Sequence, residues 1–412
     1  MLAALVLVAI VTQDQTPLRA APRESALQQT VLWQGDTLEV RGEQLDYVEV
    51  YDHRRERAGY VQTWRVRPYP LDPSSAPELL AVVRFLRDSP GMEALGIGYV
   101  ALFLKAAPAE AIGAEIFDTL GTMAERLARR ASARRNKPGD EVLAAHLEVT
   151  AGYGVQIRGF EKEGRVQFCY EGDAFRRVLA FPSTEEQHAR AALALTRPEC
   201  VSPDVGPVQR YELDLWRAEV LDRVAVDRLP GYLGNRIRLR RAGVWASLAF
   251  HRTRRGDSPQ EAATRALQEL AGVNKAELAE DDRTAYTEAA VRVGTSRWAA
   301  EGTALALAVQ PLDTWRELWI FRKGDVGWTV DVLAPGANGP DLGYLDFAGW
   351  VPDGTRMLAA REARTDGKFK RSFEIIRLDT LEVEKQAESP EALTPFYRWQ
   401  DPEWKRQTLA IR

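Results

Sequence analysis

The chain has 412 residues, more than a single hydrophobic core accommodates, so about two to four domains are expected. Its net charge of −4 carries no basic footprint for nucleic acid. Past the first dozen residues no run is long and apolar enough to span a membrane.

Residues 2–11 are an unbroken apolar run. The length suits the core of a signal peptide and falls short of a spanning helix. The basic residues that usually precede such a core are missing, and the alternative is a buried first strand. No cysteine follows the run, which argues against a lipid anchor. Residues 1–12 are therefore expected to be an apolar segment left from a signal peptide.

Short β-rich runs follow. Leu38-Glu39-Val40 and Tyr47-Val48-Glu49-Val50-Tyr51 alternate, and Gln34-Gly35-Asp36 and Arg41-Gly42-Glu43 read as turns. The pattern is that of a small, tightly turning barrel. Leu18-Arg19-Ala20-Ala21-Pro22, then Leu32, Gly35, Leu38 and Val40, then Asp46-Tyr47-Val48-Glu49-Val50, then Gly59-Tyr60-Val61 stand in an order and spacing that resembles the bacterial SH3-like domain. The resemblance covers residues 13–68. It implies a binding scaffold for a peptide, peptidoglycan or an envelope protein, and it implies no reaction. It places Tyr47 and Tyr60 in a groove with Trp33 and Tyr51 nearby; the same four positions are equally open to a barrel-core reading.

Pro68, Pro70, Pro73 and Pro77 cannot lie inside a helix or a central strand, so a linker and a domain boundary are expected over 69–77. A small helical bundle is expected over 78–140. Leu79, Leu80, Val83 and Leu86 mark its first helix, and Ser89-Pro90-Gly91 breaks the run. A second helix runs from Met92 to about Ala106. The third carries Ile112, Ile116, Leu120, Met123 and Leu127. Gly96-Ile97-Gly98 fits a dinucleotide fingerprint on paper, but no strand precedes it, and close helix packing is the better account. Arg126, Arg129, Arg130, Arg134, Arg135 and Lys137 suit a helix C-terminus, with an anionic surface as the alternative.

Residues 141–302 read as a mixed α+β region. Strands are expected over 154–160, 165–170 and 175–181, with Glu171-Gly172-Asp173 as a hairpin turn. Ser183 and Glu186 form a capping box, and Leu213, Trp216, Val220, Leu221 and Val224 mark a later helix. Ile237-Arg238-Leu239-Arg240 alternates, and after a turn at Ala242-Gly243 a second strand covers 244–250. Arg236, Arg238 and Arg240 then share one strand face, either an anion or acidic-peptide platform or a solvated face paired to acids. Asp257-Ser258-Pro259 caps a helix to about Ala271, and another covers about 283–298.

Cys169 and Cys200 are the 2 cysteines. In an exported chain they read as one disulfide, and two buried thiols are the alternative.

Residues 303–412 turn β-rich, with strands expected at 305–309, 316–321, 328–333, 344–350, 356–361, 372–378 and 380–384. Turns fall at Lys323-Gly324-Asp325, Pro352-Asp353-Gly354 and Thr365-Asp366-Gly367. Gly349-Trp350-Val351-Pro352-Asp353-Gly354, then Met357-Leu358-Ala359, then residues 373–379 resemble one blade of a propeller of the TolB or WD type. No fixed period repeats the pattern, so a blade-like antiparallel sheet is expected and no closed propeller.

His53, His146, His188 and His251 show no metal-ligand spacing. Serine-hydrolase signatures and a P-loop are absent, and Cys169 with His188 makes a poor nucleophile pair. No catalytic residue, metal or cofactor is assigned. The fold class expected is α+β multidomain: an SH3-like β-barrel, a helical bundle, a mixed region and a C-terminal antiparallel sheet. The expected function is that of a periplasmic or secreted bacterial envelope protein, a non-catalytic binding or scaffold module. The alternatives are an envelope hydrolase with its site in the α+β region and a cytoplasmic protein.

Overall fold

Leu7–Val11 is apolar throughout because it is a strand with both faces covered. The computed structural model describes residues 7–133, 140–162, 164–278, 296–298, 304–312, 314–324, 327–336, 342–365, 368–402 and 404–406. Two compact units divide the chain, Met1–Val205 and Gly206–Arg412. The architecture is mixed α+β with sheets that are antiparallel except for one parallel pair, between the strands of Trp315–Gly324 and Gly343–Trp350. Among the described residues no helix is long and apolar enough to cross a membrane.

The first unit begins with β1 (Leu7–Val11), β2 (Thr16–Arg19), β3 (Gln28–Leu32), β4 (Thr37–Gln44), β5 (Tyr47–Asp52), β6 (Arg57–Gln62) and β7 (Val66–Pro70). They form one seven-stranded sheet in the order β3-β2-β6-β5-β4-β1-β7. The sheet ends in β3 and β7 and does not close, which corrects the barrel expectation. β1 lies between β4 and β7. Ala9 and Val11 enter the sheet core with Leu18, Leu32, Leu38, Val48, Val50 and Val61, while Ile10 enters a helical core. The signal-peptide reading of 1–12 is thus corrected for Leu7–Val11, which is the buried first strand.

Helices α1 (Ala76–Arg87), α2 (Glu93–Ala106), α3 (Ala114–Ala133) and α4 (Asp140–Ala151) follow. A hairpin of β8 (Ile157–Lys162) and β9 (Arg165–Tyr170) precedes α5 (Asp173–Ala180) and α6 (Glu185–Leu195). The proline stretch is folded structure and not a linker. Pro68 and Pro70 sit in edge strand β7, where the missing donors face away from the sheet. Asp72 caps a 3-10 turn at Pro73, and Pro77 lies in the first turn of α1, where a helix needs no donor. Tyr69 packs edge-on to Tyr99 of α2 at 5.7 Å, so one core runs from sheet to helices and no division falls at 69–77. The mixed region expected over 141–302 is instead shared between the two units, which part after Val205.

The glycines of α2 serve packing. A Cβ at Gly98 would lie 2.7 Å from the Gly35 carbonyl oxygen, and one at Gly96 would meet the Met123 sulfur. The expected strand at 175–181 is helix α5, entered through Gly172 at φ 87°. Its buried Ala174, Phe175 and Val178 follow a helical period, and Arg176 and Arg177 face out. The capping box sits one residue later than expected, between Thr184 and Gln187. Cys169 and Cys200 are bonded, with their Cα atoms 5.7 Å apart.

The second unit opens with α7 (Pro207–Asp222), α8 (Gly231–Arg255) and α9 (Gln260–Ala271). One helix thus replaces the two strands expected over 237–250. The alternation of 237–240 is shorter than one and a half helical turns, while buried Leu233, Ile237, Val244, Leu248 and His251 keep helical spacing over the whole segment. The helix expected near 283–298 lies outside the described residues except at β10 (Ser296–Trp298), which is a strand.

β11 (Ala304–Leu312), β12 (Trp315–Gly324), β13 (Gly327–Leu333), β14 (Gly343–Trp350), β15 (Arg356–Thr365), β16 (Lys368–Arg377) and β17 (Val383–Ala387) complete an eight-stranded sheet with β10. Its order is β10-β11-β12-β14-β15-β16-β17, with β13 also paired to β12. Ala306, Leu318 and Ile320 share a cluster with Leu345, Phe347, Met357, Ala359 and Ile376. On the opposite face of β14–β16, Ala348, Leu358, Phe373 and Ile375 are covered by Phe396 of α10 (Thr394–Trp399) and by Trp404.

Two glycine substitutions separate packing from propensity. Gly98→Ala is expected to destabilise the first unit by about 1–3 kcal/mol, because the Gly35 backbone cannot retreat. Gly243→Ala, exposed in α8 with open space around it, is expected to stabilise the second unit by up to about 1 kcal/mol. Urea unfolding of the full chain checks both. Reduction of the disulfide, whose cysteines are 31 residues apart, is expected to cost the first unit about 3–4 kcal/mol in the same measurement.

Candidate functional site

Alternation in β5 sends Val48 and Val50 inward and Glu49 and Tyr51 outward. Register then builds the outer face: Glu39 lies opposite Tyr51, Glu49 opposite Tyr60, and Tyr60 opposite Arg19. On this face the Arg41 guanidinium stacks 4.0 Å above the Tyr51 ring, and its Nε donates to Glu39 Oε1 at 3.2 Å. His53 Nε2 lies 2.5 Å from Glu39 Oε2, and its ring meets Tyr51 edge-on at 4.8 Å. The hydrogen bond from His53, then that from Arg41, holds the Glu39 carboxyl below its ordinary range. The result is a surface cluster of one aromatic ring, one guanidinium, one imidazole and one carboxylate.

A second exposed group sits at the end of the same sheet. Leu45 is 87% exposed at the β4–β5 turn with φ 55°. The Thr63 amide donates to the Asp46 carbonyl at 2.9 Å, which brings the short helical turn Thr63–Arg65 beside that tip. Trp64 is 57% exposed there, with the Arg65 guanidinium 4.3 Å from its ring.

The four groove candidates therefore separate. Tyr51 and Tyr60 are half-buried on the outer face, and Tyr47 is buried at 7% exposure. Trp33 is half-buried in the β3–β4 turn, where its backbone N–H donates to Asp36 Oδ2 at 2.9 Å. Leu45 and Trp64 escape sequence reasoning because isolated apolar residues at turns carry no period.

Arg236, Arg238 and Arg240 do not share one strand face, because they lie on helix α8. On a helix Arg238 points away from Arg236 and Arg240, and it pairs with Asp227 at 3.5 Å and Glu269 at 3.6 Å. Of the basic run near the end of α3, Arg126 and Arg130 turn inward to the fully buried Glu93, and Arg129 pairs with Glu125. Arg134, Arg135 and Lys137 lie outside the described residues. Cys169 is bonded to Cys200, so it offers no thiolate to His188.

Among the buried polar groups of the described residues, three clusters with titratable side chains stand out, and no motif announces them. His146 Nε2 lies 2.8 Å from Asp14 Oδ1. Burial acts to raise the Asp14 pKa, but the His146 bond prevails and holds it low. In α7 and α8, Asp214 is fully buried and accepts from Ser247 Oγ at 2.6 Å, Arg217 at 2.9 Å and Arg210 at 3.1 Å. His251 Nε2 stands 3.9 Å from that carboxylate. The residue types are those of a nucleophilic triad, but the serine bonds to the aspartate and the histidine is kept from its cation by burial. Asp214 pins α7 to α8. In β12, Glu317 is 1% exposed and accepts the indole N–H of Trp315 at 3.1 Å and of Trp319 at 3.2 Å. Burial pushes its pKa up to about 7 against these two hydrogen bonds. Among the described residues no three His, Cys, Asp or Glu side chains converge to hold a metal ion.

No protein-family model, no curated protein and no solved structure matches this chain.

The core and surface roles of the tyrosines are separable by stability. Tyr47→Ala is expected to destabilise the first unit by about 3 kcal/mol, as loss of a buried aromatic ring does. Tyr51→Ala on the outer face is expected to cost under about 1 kcal/mol. Urea midpoints of the two variants provide the check.

Proposed function

We propose that the first unit is a non-catalytic binding module of an exported bacterial envelope protein, and that its ligand is a cell-wall peptide, peptidoglycan or an envelope protein. The observation that carries this is the outer face of β4–β6, where Tyr51 and the Arg41–Glu39–His53 array stand at the surface. Trp64 and Arg65 extend it at the sheet end. Aromatic rings beside guanidinium groups give a ligand both an apolar platform and hydrogen-bond donors for carboxylates or amide oxygens.

β2 to β6 stand where the markers of the SH3-like resemblance fall. β1 and β7 add to that unit and seat it on the helices. In the second unit β14 to β17 run as a consecutive antiparallel meander, the arrangement of a propeller blade, and on this reading they act as scaffold. The disulfide suits an oxidising compartment, periplasmic or extracellular.

Purified sacculi incubated with the full chain test the proposal. Wild type is expected in the pellet, and Tyr51→Ala and Trp64→Ala are each expected to bind about tenfold more weakly with little change in unfolding. Release of soluble fragments by the wild type replaces the module with a hydrolase. Equal binding by both variants removes this face as the site.

A further inference from the structure

The run Trp315-Arg316-Glu317-Leu318-Trp319 alternates across β12. Leu318 enters the core shared with Leu345 and Met357, so Trp315, Glu317 and Trp319 line the other face. Opposite Glu317 on β11 is Val309, and opposite Trp319 are Leu307 on β11 and Val332 on β13. Val309 and Trp319 are fully buried, and Leu307 is nearly so. Gly343 of β14 lies against the Trp315 ring, and α8 packs against β11. The carboxyl thus has an apolar wall and two neutral donors.

Charged neighbours do little for it. Arg254 of α8 is exposed, and its field reaches Glu317 without a hydrogen bond. Burial lowers the pKa of His251 of α8, against the pull of Asp214. On the other face of β12, Arg316 is paired with Asp346 and Arg322 with Asp331. Among the described residues no lysine or arginine donates to Glu317. Two neutral N–H groups do not replace the water that a full charge loses on burial.

We propose that the Trp315–Glu317–Trp319 layer is a pH-sensitive lock on the second unit. Neutral, the carboxyl accepts both indole N–H groups within its apolar wall and the layer stays closed. Ionised, it is a buried charge without a bonded cation, and the layer loosens beneath α8. The sign follows from linkage. An unfolded glutamate loses its proton near 4.5, and this one loses it near about 7 in the folded chain. Stability from this group is complete below the lower value, falls as pH rises through the window, and levels off above the higher one. Across that window the folded-to-unfolded ratio of the second unit drops on the order of a hundredfold.

The test uses the full chain with 13C at the glutamate side-chain carboxyls. One resonance, missing in Glu317→Gln, is expected to titrate with a midpoint above about pH 6, apart from the ordinary glutamates. Arg254→Ala, on the surface, is expected to move that midpoint further up, since a positive field is removed. Urea unfolding followed by tryptophan emission is expected to show wild type weakening between about pH 5 and pH 8, with the slope lost in Glu317→Gln. A glutamate set that all titrates below about pH 6, or a slope unchanged in Glu317→Gln, overturns the proposal. If Glu317→Gln does not fold, the Arg254→Ala displacement decides: a high-midpoint resonance that fails to move is not Glu317.

Discussion

The first unit depends on one close approach of backbone to backbone. Helix α2 comes so near the β3–β4 turn that Gly98 faces the Gly35 carbonyl with no room for a methyl group, and Gly35 itself has φ 95°. That contact seats α2 on β1, so Ile10 can join the helical core while Ala9 and Val11 hold the sheet core. Tyr153 closes the same turn from α4's end, donating to the Gly35 carbonyl at 2.5 Å. Around it Arg54 joins Glu148 at 2.9 Å, and Arg55 joins Asp36 at 3.2 Å and Asp52 at 2.7 Å. Without the glycine pair these partners stand out of reach, and sheet and helices become two small cores, each marginal on its own.

Among the described residues the buried carboxylates follow one rule with one departure. Glu93 is held by Arg126 and Arg130, Asp118 by Arg87 and Arg190, and Asp214 by Arg210 and Arg217. Glu93 and Asp118 tie helices together through these arginines and Asp214 does so through Ser247, and loss of the arginines is costly because the carboxylate is left charged and dry. Glu317 has only indoles. The contrast is what makes that position chemically different from the other buried acids.

Strand positions in this chain are legible where alternation is bounded by turn residues. Tyr47 to Tyr51 is of this kind, and so are most of the C-terminal strands from 305 to 378. The segment 231–255 is not, because α8 buries nearly every side in its second half, and a helix buried all round has no stripe to read. Four residues of chance alternation then mimic a strand. Prolines mislead for a different reason: their missing donor rules out a central strand, but an edge strand and a helix start both tolerate it. The disulfide is legible from cysteine count. Of the outer face, Tyr51 and Tyr60 are reached through the SH3-like resemblance, whereas Trp64 and Leu45 at the sheet end depend on a turn that only the folded chain brings together.

The prolines of β7 also bear on what the protein does in company. Pro68 and Pro70 stand opposite Ala9 and Leu7, and the third outward position, Val66, spends its N–H on the Thr63 carbonyl. That margin of the sheet offers carbonyls and no donors. A neighbouring copy, or a stray unfolded segment, finds nothing there to zip against, so fibre-like growth from this side is blocked at its first step. The protection costs the fold nothing, because the donors removed are ones the native sheet never uses.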